Sequence, residues 1–238
     1  MRISFLFAPA LLWCAPAWAG PPFATDDAEP TGTGEYEVYL FASGARATTG
    51  SNGATGIDFN YGAGPDLQLT FAIPLEWEKP LGGPAVSGIG NIELAAKYRF
   101  AHQSNFGVDI AVFPRLFLPA VAKQVGDQHA SLLLPLWVEH DWKMGSLYGG
   151  GGCTFALAKG AKDFCTFGIV ASARVAKRLQ IGAELVHETP ATAGGAASTK
   201  LGFGATWDLN DHVHLLVSAG PGLQHCRIND RANWYVSL

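Results

Sequence analysis

Charge is scarce in this chain. Asp, Glu, Lys and Arg supply only 15% of its 238 residues, while 48% are hydrophobic. The 16 basic residues are outnumbered by 20 acids and form no run or face, which excludes a nucleic-acid surface built on Lys and Arg. Beyond the first twenty positions there is no stretch of 18 apolar residues, so no membrane helix is expected. Nucleophile motifs are missing too: no Gly-x-Ser-x-Gly occurs. The glycines at 149–152 are not followed by the Lys-Ser/Thr of a phosphate loop. His187-Glu188 lacks the second His of a zinc helix, and His212 and His214 give only a weak metal signal. No catalytic residue, metal site or cofactor is therefore expected. The mean hydropathy of +0.15 then needs another explanation, because a soluble protein this apolar usually buries long continuous runs.

The explanation begins at the start of the chain. Met1-Arg2 precedes a largely apolar run ending at Trp13, and Ala17-Trp18-Ala19 is a small-x-small cleavage site. This is the pattern of a secretory signal peptide, cleaved after Ala19. Cys14 raises a lipoprotein reading, which the bulky Trp13 before it disfavours.

Behind the signal, apolar residues alternate. Leu67, Leu69, Phe71, Ile73, Leu75 and Trp77 occupy every odd position of residues 67–77, with polar or small residues between. A period of two sends successive side chains to opposite faces of a strand. A membrane-crossing strand needs about 9–11 such residues, apolar outward and polar inward. The pattern recurs over 35–43, 56–62, 67–77, 89–100, 106–117, 131–142, 147–157, 164–175, 179–189, 199–209, 213–223 and 231–238. Short turns near 62–66, 101–105, 143–146, 176–178 and 210–212 alternate with longer ones at 44–55, 78–88, 118–130, 158–163, 190–198 and 224–230. The fold class expected is all-β: a transmembrane up-and-down antiparallel barrel of about twelve strands, with ten and fourteen as alternatives. Three regions follow: signal peptide 1–19, N-terminal periplasmic segment 20–34, barrel 35–238. The rival architecture is a soluble periplasmic sandwich or lipocalin-like barrel, which hides its apolar face inside. Aromatic residues near strand ends (Trp77, Tyr98, Phe100, Trp142, Trp207) and a terminal strand apolar at Trp234, Val236 and Leu238 favour the membrane.

Parity also assigns the interior. Glu37, Asp58, Glu93, Asp109, Glu139 and Glu184 face the lumen, with Glu76 and Asp208. The bases there are Lys97, Arg99, Arg115, Arg174 and Lys200. The acid excess suggests a mild preference for cations or neutral solutes. The competing reading is an ion-pair network filling the barrel, centred on Glu93, Lys97 and Arg99. Phe23, Asp26 and Asp27, between Pro22 and Pro30, cannot extend a strand well. They are candidates to plug the lumen from the periplasmic side, against the alternative of a loose leader. Cys153 and Cys165 share parity about residue 159, so a hairpin could place them opposite each other, within disulfide reach. Cys226 is left over. A large neighbouring side chain is expected over the glycines at 149–152.

Five segments carry a resemblance. They are Pro21-Pro-Phe-Ala-Thr-Asp-Asp-Ala-Glu-Pro30, Gly88-Ile-Gly-Asn-Ile-Glu-Leu-Ala-Ala-Lys-Tyr-Arg-Phe100, Phe113-Pro-Arg-Leu-Phe-Leu-Pro119, Leu134-Pro-Leu-Trp137 and Gly182-Ala-Glu-Leu-Val-His-Glu-Thr-Pro190. In order, over essentially the whole mature chain, they resemble the transporter-like outer-membrane family labelled "MetA pathway of phenol degradation". Asn91 stands where that family has Asp, and Ala120 where Gly follows the proline, so the loop at 118–130 is expected to differ. The resemblance implies a non-enzymatic barrel for passive uptake of small hydrophobic or aromatic solutes. Its partners would be outer-membrane lipid, the solute, and the barrel assembly machinery through the C-terminal strand. The alternatives are an outer-membrane lipid-modifying enzyme and a closed structural or recognition barrel.

Overall fold

Alternation in the sequence becomes a closed wall. A computed structural model describes residues 22–192, 194–224 and 232–238. The expected signal peptide at 1–19 and Cys226 lie outside the described residues. Fourteen extended segments follow one another: β1 (Tyr36–Ala47), β2 (Gly50–Gly64), β3 (Leu67–Pro80), β4 (Val86–Ile89), β5 (Glu93–Ala101), β6 (Asp109–Val112), β7 (Arg115–Phe117), β8 (Ser131–Trp142), β9 (Gly145–Ala156), β10 (Phe164–Ala176), β11 (Leu179–Glu188), β12 (Ser198–Asp208), β13 (His214–Pro221) and β14 (Ala232–Ser237). A single helical turn, Gln103–Phe106, precedes β6.

Two pairs of these segments are broken strands. β4 and β5 both pair with β3, and β6 and β7 both lie between β5 and β8. Fourteen segments therefore make twelve staves, all antiparallel, and β14 pairs with β1 to close the ring. The second break falls at Phe113-Pro114, where proline has no N–H for the ladder. The first falls at residues 90–92, and the loop at 118–130 patches it. The Asn91 amide donates to the Leu118 and Asp127 carbonyls at 2.7 and 2.8 Å and accepts from the Asp127 N–H at 2.7 Å. A carboxylate could accept but not donate there, so Asn suits this loop as Asp would not.

One expectation about a connection fails. Residues 44–55 are not a long loop: β1 and β2 run through them in unbroken register and turn at 48–49. Gly, Ser, Ala and Thr here resemble loop composition, yet none of them interrupts a ladder. Likewise β3 continues to Pro80.

The faces are inverted relative to a soluble protein. On β3, Leu69, Phe71 and Leu75 are 46%, 42% and 48% exposed, while Gln68 and Thr70 are each 6% exposed. Apolar side chains in this number would be costly against water, at about 25 cal/mol per Å². Against hydrocarbon they cost nothing, and a closed barrel leaves no backbone group unsatisfied there. No helix of the described residues is long and apolar enough to cross a membrane; the strands cross instead. Inside, Ala28, Ala111, Phe113 and Trp137 form a small apolar cluster. Of these, Phe113 sits at the break between β6 and β7, and Ala28 comes from outside the wall altogether.

Candidate functional site

Ala28 is inside because the segment before β1 turns back into the barrel. Residues 22–31 rise from the inner rim to mid-height of the lumen, and the wall grips them at every step. At the lower end, the Thr31 N–H and hydroxyl both donate to Gln68 Oε1, at 2.9 and 3.1 Å. The Ala28 N–H donates to Glu139 Oε2 at 3.0 Å, and the Thr25 N–H to Glu184 Oε1 at 2.6 Å. At the upper end, the Ser218 hydroxyl donates to the Pro22 carbonyl. Wall carboxylates thus supply the acceptors that an isolated strand-less peptide lacks.

Lys97 is the centre of the attachment. Its Nζ lies 3.0 Å from Asp26 Oδ1 and 2.9 Å from Asp27 Oδ1, and it donates to the Glu29 carbonyl at 3.2 Å. The ammonium also sits 5.2 Å from the centre of the Phe113 ring. Two carboxylates and a carbonyl use all three of its donors. Burial in the lumen pushes the Asp27 carboxyl up, against the lowering effect of Lys97, and Asp26 beside it pushes the same way. Burial likewise pushes Glu29 up, to about 7, with Asp27 adding to the effect.

Glycines in the wall make room for the segment. A Cβ on Gly168 would fall on the Thr25 side chain, and one on Gly204 would lie 2.8 Å from the Phe23 ring. Gly182 faces the same ring at 3.0 Å. Gly62 meets the backbone of Gly32, where a short parallel bridge joins Thr33 to Gly62. The wall is therefore shaped to this occupant.

The remaining lumen residues are partnered within the wall. The expected core of Glu93, Lys97 and Arg99 separates into three attachments. Arg115 grips Glu93 with two bonds of 2.6 and 2.8 Å. Lys97 holds the segment. Arg99 turns to Asp66 at 3.0 Å, with Asp109 at 3.8 Å. Asp66 adopts the left-handed backbone of the tight turn between β2 and β3, a conformation Asp tolerates well. Its carboxylate also takes His102 at 3.1 Å. Parity could place three side chains on one face, but it could not see that two of their partners lie in a turn and in the N-terminal segment. Arg174 sits 3.6 Å from Asp208 at the inner rim. Glu37 accepts from the Tyr39 hydroxyl at 2.8 Å, and Asp58 from the Asn60 amide at 3.1 Å. Gln68 and Phe113 were not singled out by parity, since neither is charged.

A cavity of about 1020 Å³ remains in the lumen, and the segment forms part of its wall. Asp26, Asp27, Glu37, Asp58 and Lys200 line it, with Tyr39, Phe113 and Tyr235 among the rings. Cys153 and Cys165 are opposite each other on β9 and β10 and are disulfide-bonded. On the glycine-rich strand, Phe167 lies against Gly151 and Trp137 against Gly150. Among the described residues no group of three or more His, Cys, Asp or Glu could hold a metal.

Fold and lumen together define a transmembrane barrel of outer-membrane type whose lumen is occupied by residues 22–31. The COG4313 outer membrane channel from Pseudomonas putida F1 has the same fold, with a TM-score of 0.65 and 12% identity over 89% of this chain and 97% of that one. No protein-family model and no curated protein matches the chain.

Proposed function

We propose that the chain is an outer-membrane channel for passive uptake of small hydrophobic or aromatic solutes, with residues 22–31 as its plug. The carrying observation is the attachment at Lys97: ion pairs and hydrogen bonds hold the plug, with Phe23 and Ala28 packed beside them, and none of these contacts belongs to a wall ladder, so they can break and re-form without unfolding a strand. The similarity to a protein described as an outer membrane channel supports transport. The resemblance of residues 88–100 and 113–119 to a phenol-pathway family supports the solute class, as do the rings of Tyr39, Phe113 and Tyr235 along the cavity. The acids there favour neutral or cationic solutes over anions. Export through the signal peptide at 1–19 and insertion by the assembly machinery through β14 complete the reading.

Single-channel recording of refolded, signal-free protein in planar bilayers tests it. Discrete conductance steps blocked by a phenolic compound are expected. A correctly folded barrel that stays silent across all voltages and solutes would reject the channel.

A further inference from the structure

The outward face of the wall carries a feature of its own. On β14, β1, β2 and β3 the pairing sets outward side chains in successive rows. Nearest the turn at 48–49, Arg46 pairs with Ser51 and Ser51 with Lys79. The next outward row is Trp234, Gly44, Gly53 and Trp77. Below it come Val236, Ala42, Thr55 and Leu75. Directly opposed residues of antiparallel strands project from one face. These rows continue the face on which Leu40 and Ile57 are exposed.

Each row has its own chemistry. Arg46 and Lys79 are both exposed, and neither has an ion-pair partner among the described residues. A basic residue outside a barrel is tolerated near the interface and costly deeper in the bilayer, so these two mark headgroup depth. The two indoles lie inward over the glycines: a Cβ on Gly44 would stand 2.8 Å from Trp234 Nε1, and one on Gly53 2.8 Å from Trp77 Cζ2. Below the indoles, the small Ala42 and Thr55 floor an apolar groove of about 770 Å³, flanked by Leu40, Ile57, Leu75 and Val236. The Thr55 hydroxyl is committed to the Phe41 carbonyl at 2.8 Å, so the floor presents no free donor.

Two cations, then an aromatic shelf, then an apolar groove form a graded surface about three rows deep. It is complementary to an amphiphile with an anionic head and acyl tails. We infer that this wall binds one phosphorylated, acylated glycolipid of the outer leaflet. Arg46 and Lys79 hold its phosphate, the indoles cover its head-to-tail junction, and an acyl chain lies in the groove. The indole row also borders the lumen cavity, whereas the apolar groove shares no residue with it, so the inference rests on the outer-membrane reading and not on whether the barrel conducts.

Native mass spectrometry of the detergent-solubilised, refolded mature chain tests the inference. The probes are bis-phosphorylated lipid A, the same lipid dephosphorylated, and phosphatidylethanolamine. One lipid A per barrel should be retained, and the other two lost. The double variant R46Q/K79Q should bind lipid A about thirtyfold more weakly, from two interfacial charges, with its single-channel conductance unchanged. T55W, which fills the groove, should weaken lipid A while leaving both cations in place. Equal retention of the dephosphorylated lipid by the wild-type chain would overturn the proposal, and that comparison holds even if the variants fail to fold. So would displacement of lipid A by millimolar inorganic phosphate, which would reduce the site to a simple anion patch.

Discussion

Lys97 shows how much one side chain can decide. It is an inward residue of β5, 3% exposed, and its partners come from a segment about seventy positions earlier in the sequence. Removing one member of a buried ion pair costs about 3–5 kcal/mol when the other charge stays buried. Here the carboxylates of Asp26 and Asp27 can escape by leaving the lumen with their segment. Lys97→Met is therefore expected to release the plug rather than unfold the wall. Limited proteolysis should cut within 22–31 in the variant and spare it in the wild type, while the barrel keeps its folded mobility on gels. Glu29 adds a pH dependence. Its side chain is surrounded by the wall yet exposed within the lumen. The docked value of about 7 lies above the ordinary 4.5, so the docked segment binds a proton that the released segment gives up. The Glu29 contribution to docking is full below pH 4.5, is lost as pH rises through about 7, and is then constant. Channel opening should increase from pH 5 to pH 8, and Glu29→Gln should lessen that rise, leaving the share that Asp27 contributes in the same direction. An opening probability that falls over this range would contradict the assignment.

At the level of elements, the hairpins were the most readable part of the chain. Parity located most staves within a few residues, because one wrong step would turn every leucine of a strand toward the lumen. It failed where composition and conformation part company. Residues 44–55 are small and polar enough for a loop, but in β1 and β2 smallness serves the neighbours: Gly44 and Gly53 lie beneath indoles from β14 and β3. The breaks at residues 90–92 and at Phe113-Pro114 were invisible for a related reason, since each depends on which strand stands alongside. The β9–β10 hairpin offers a measurable consequence. Its disulfide joins residues 12 apart, and closing a loop of that size lowers unfolded-chain entropy by about 3 kcal/mol at 25 °C in the chain-entropy account. Reduction, or Cys153→Ser with Cys165→Ser, should lower the urea midpoint of the folded barrel by a corresponding amount without changing conductance.

For the whole molecule, the wall and residues 22–31 are held by different kinds of contact. The twelve staves close through their own ladders, and the plug adds only side-chain attachments and one short bridge at Gly62. Deleting residues 22–31 should leave a barrel that refolds and runs as a folded band, with larger and more frequent conductance steps than the intact chain. Unchanged conductance would show that the segment does not control passage.

The division between sequence and tertiary structure follows from this difference. Alternation, the short and long connections and the acid-rich inner face are local or near-local properties, so residues such as Leu69, Phe71 and Ile73 state the strands, and the aromatics at strand ends tip the reading from a soluble barrel to a membrane one. The plug is different. Phe23, Asp26 and Asp27 could be named as candidates, because prolines bar them from a strand. Their receptors could not: Lys97, Glu139, Glu184 and Gln68 lie on four different strands, each far away in the chain. Only closing the barrel brings those strands around a common space. Only then does it matter that Gly168, Gly182 and Gly204 carry no side chains to fill that space, which leaves room for Thr25 and Phe23.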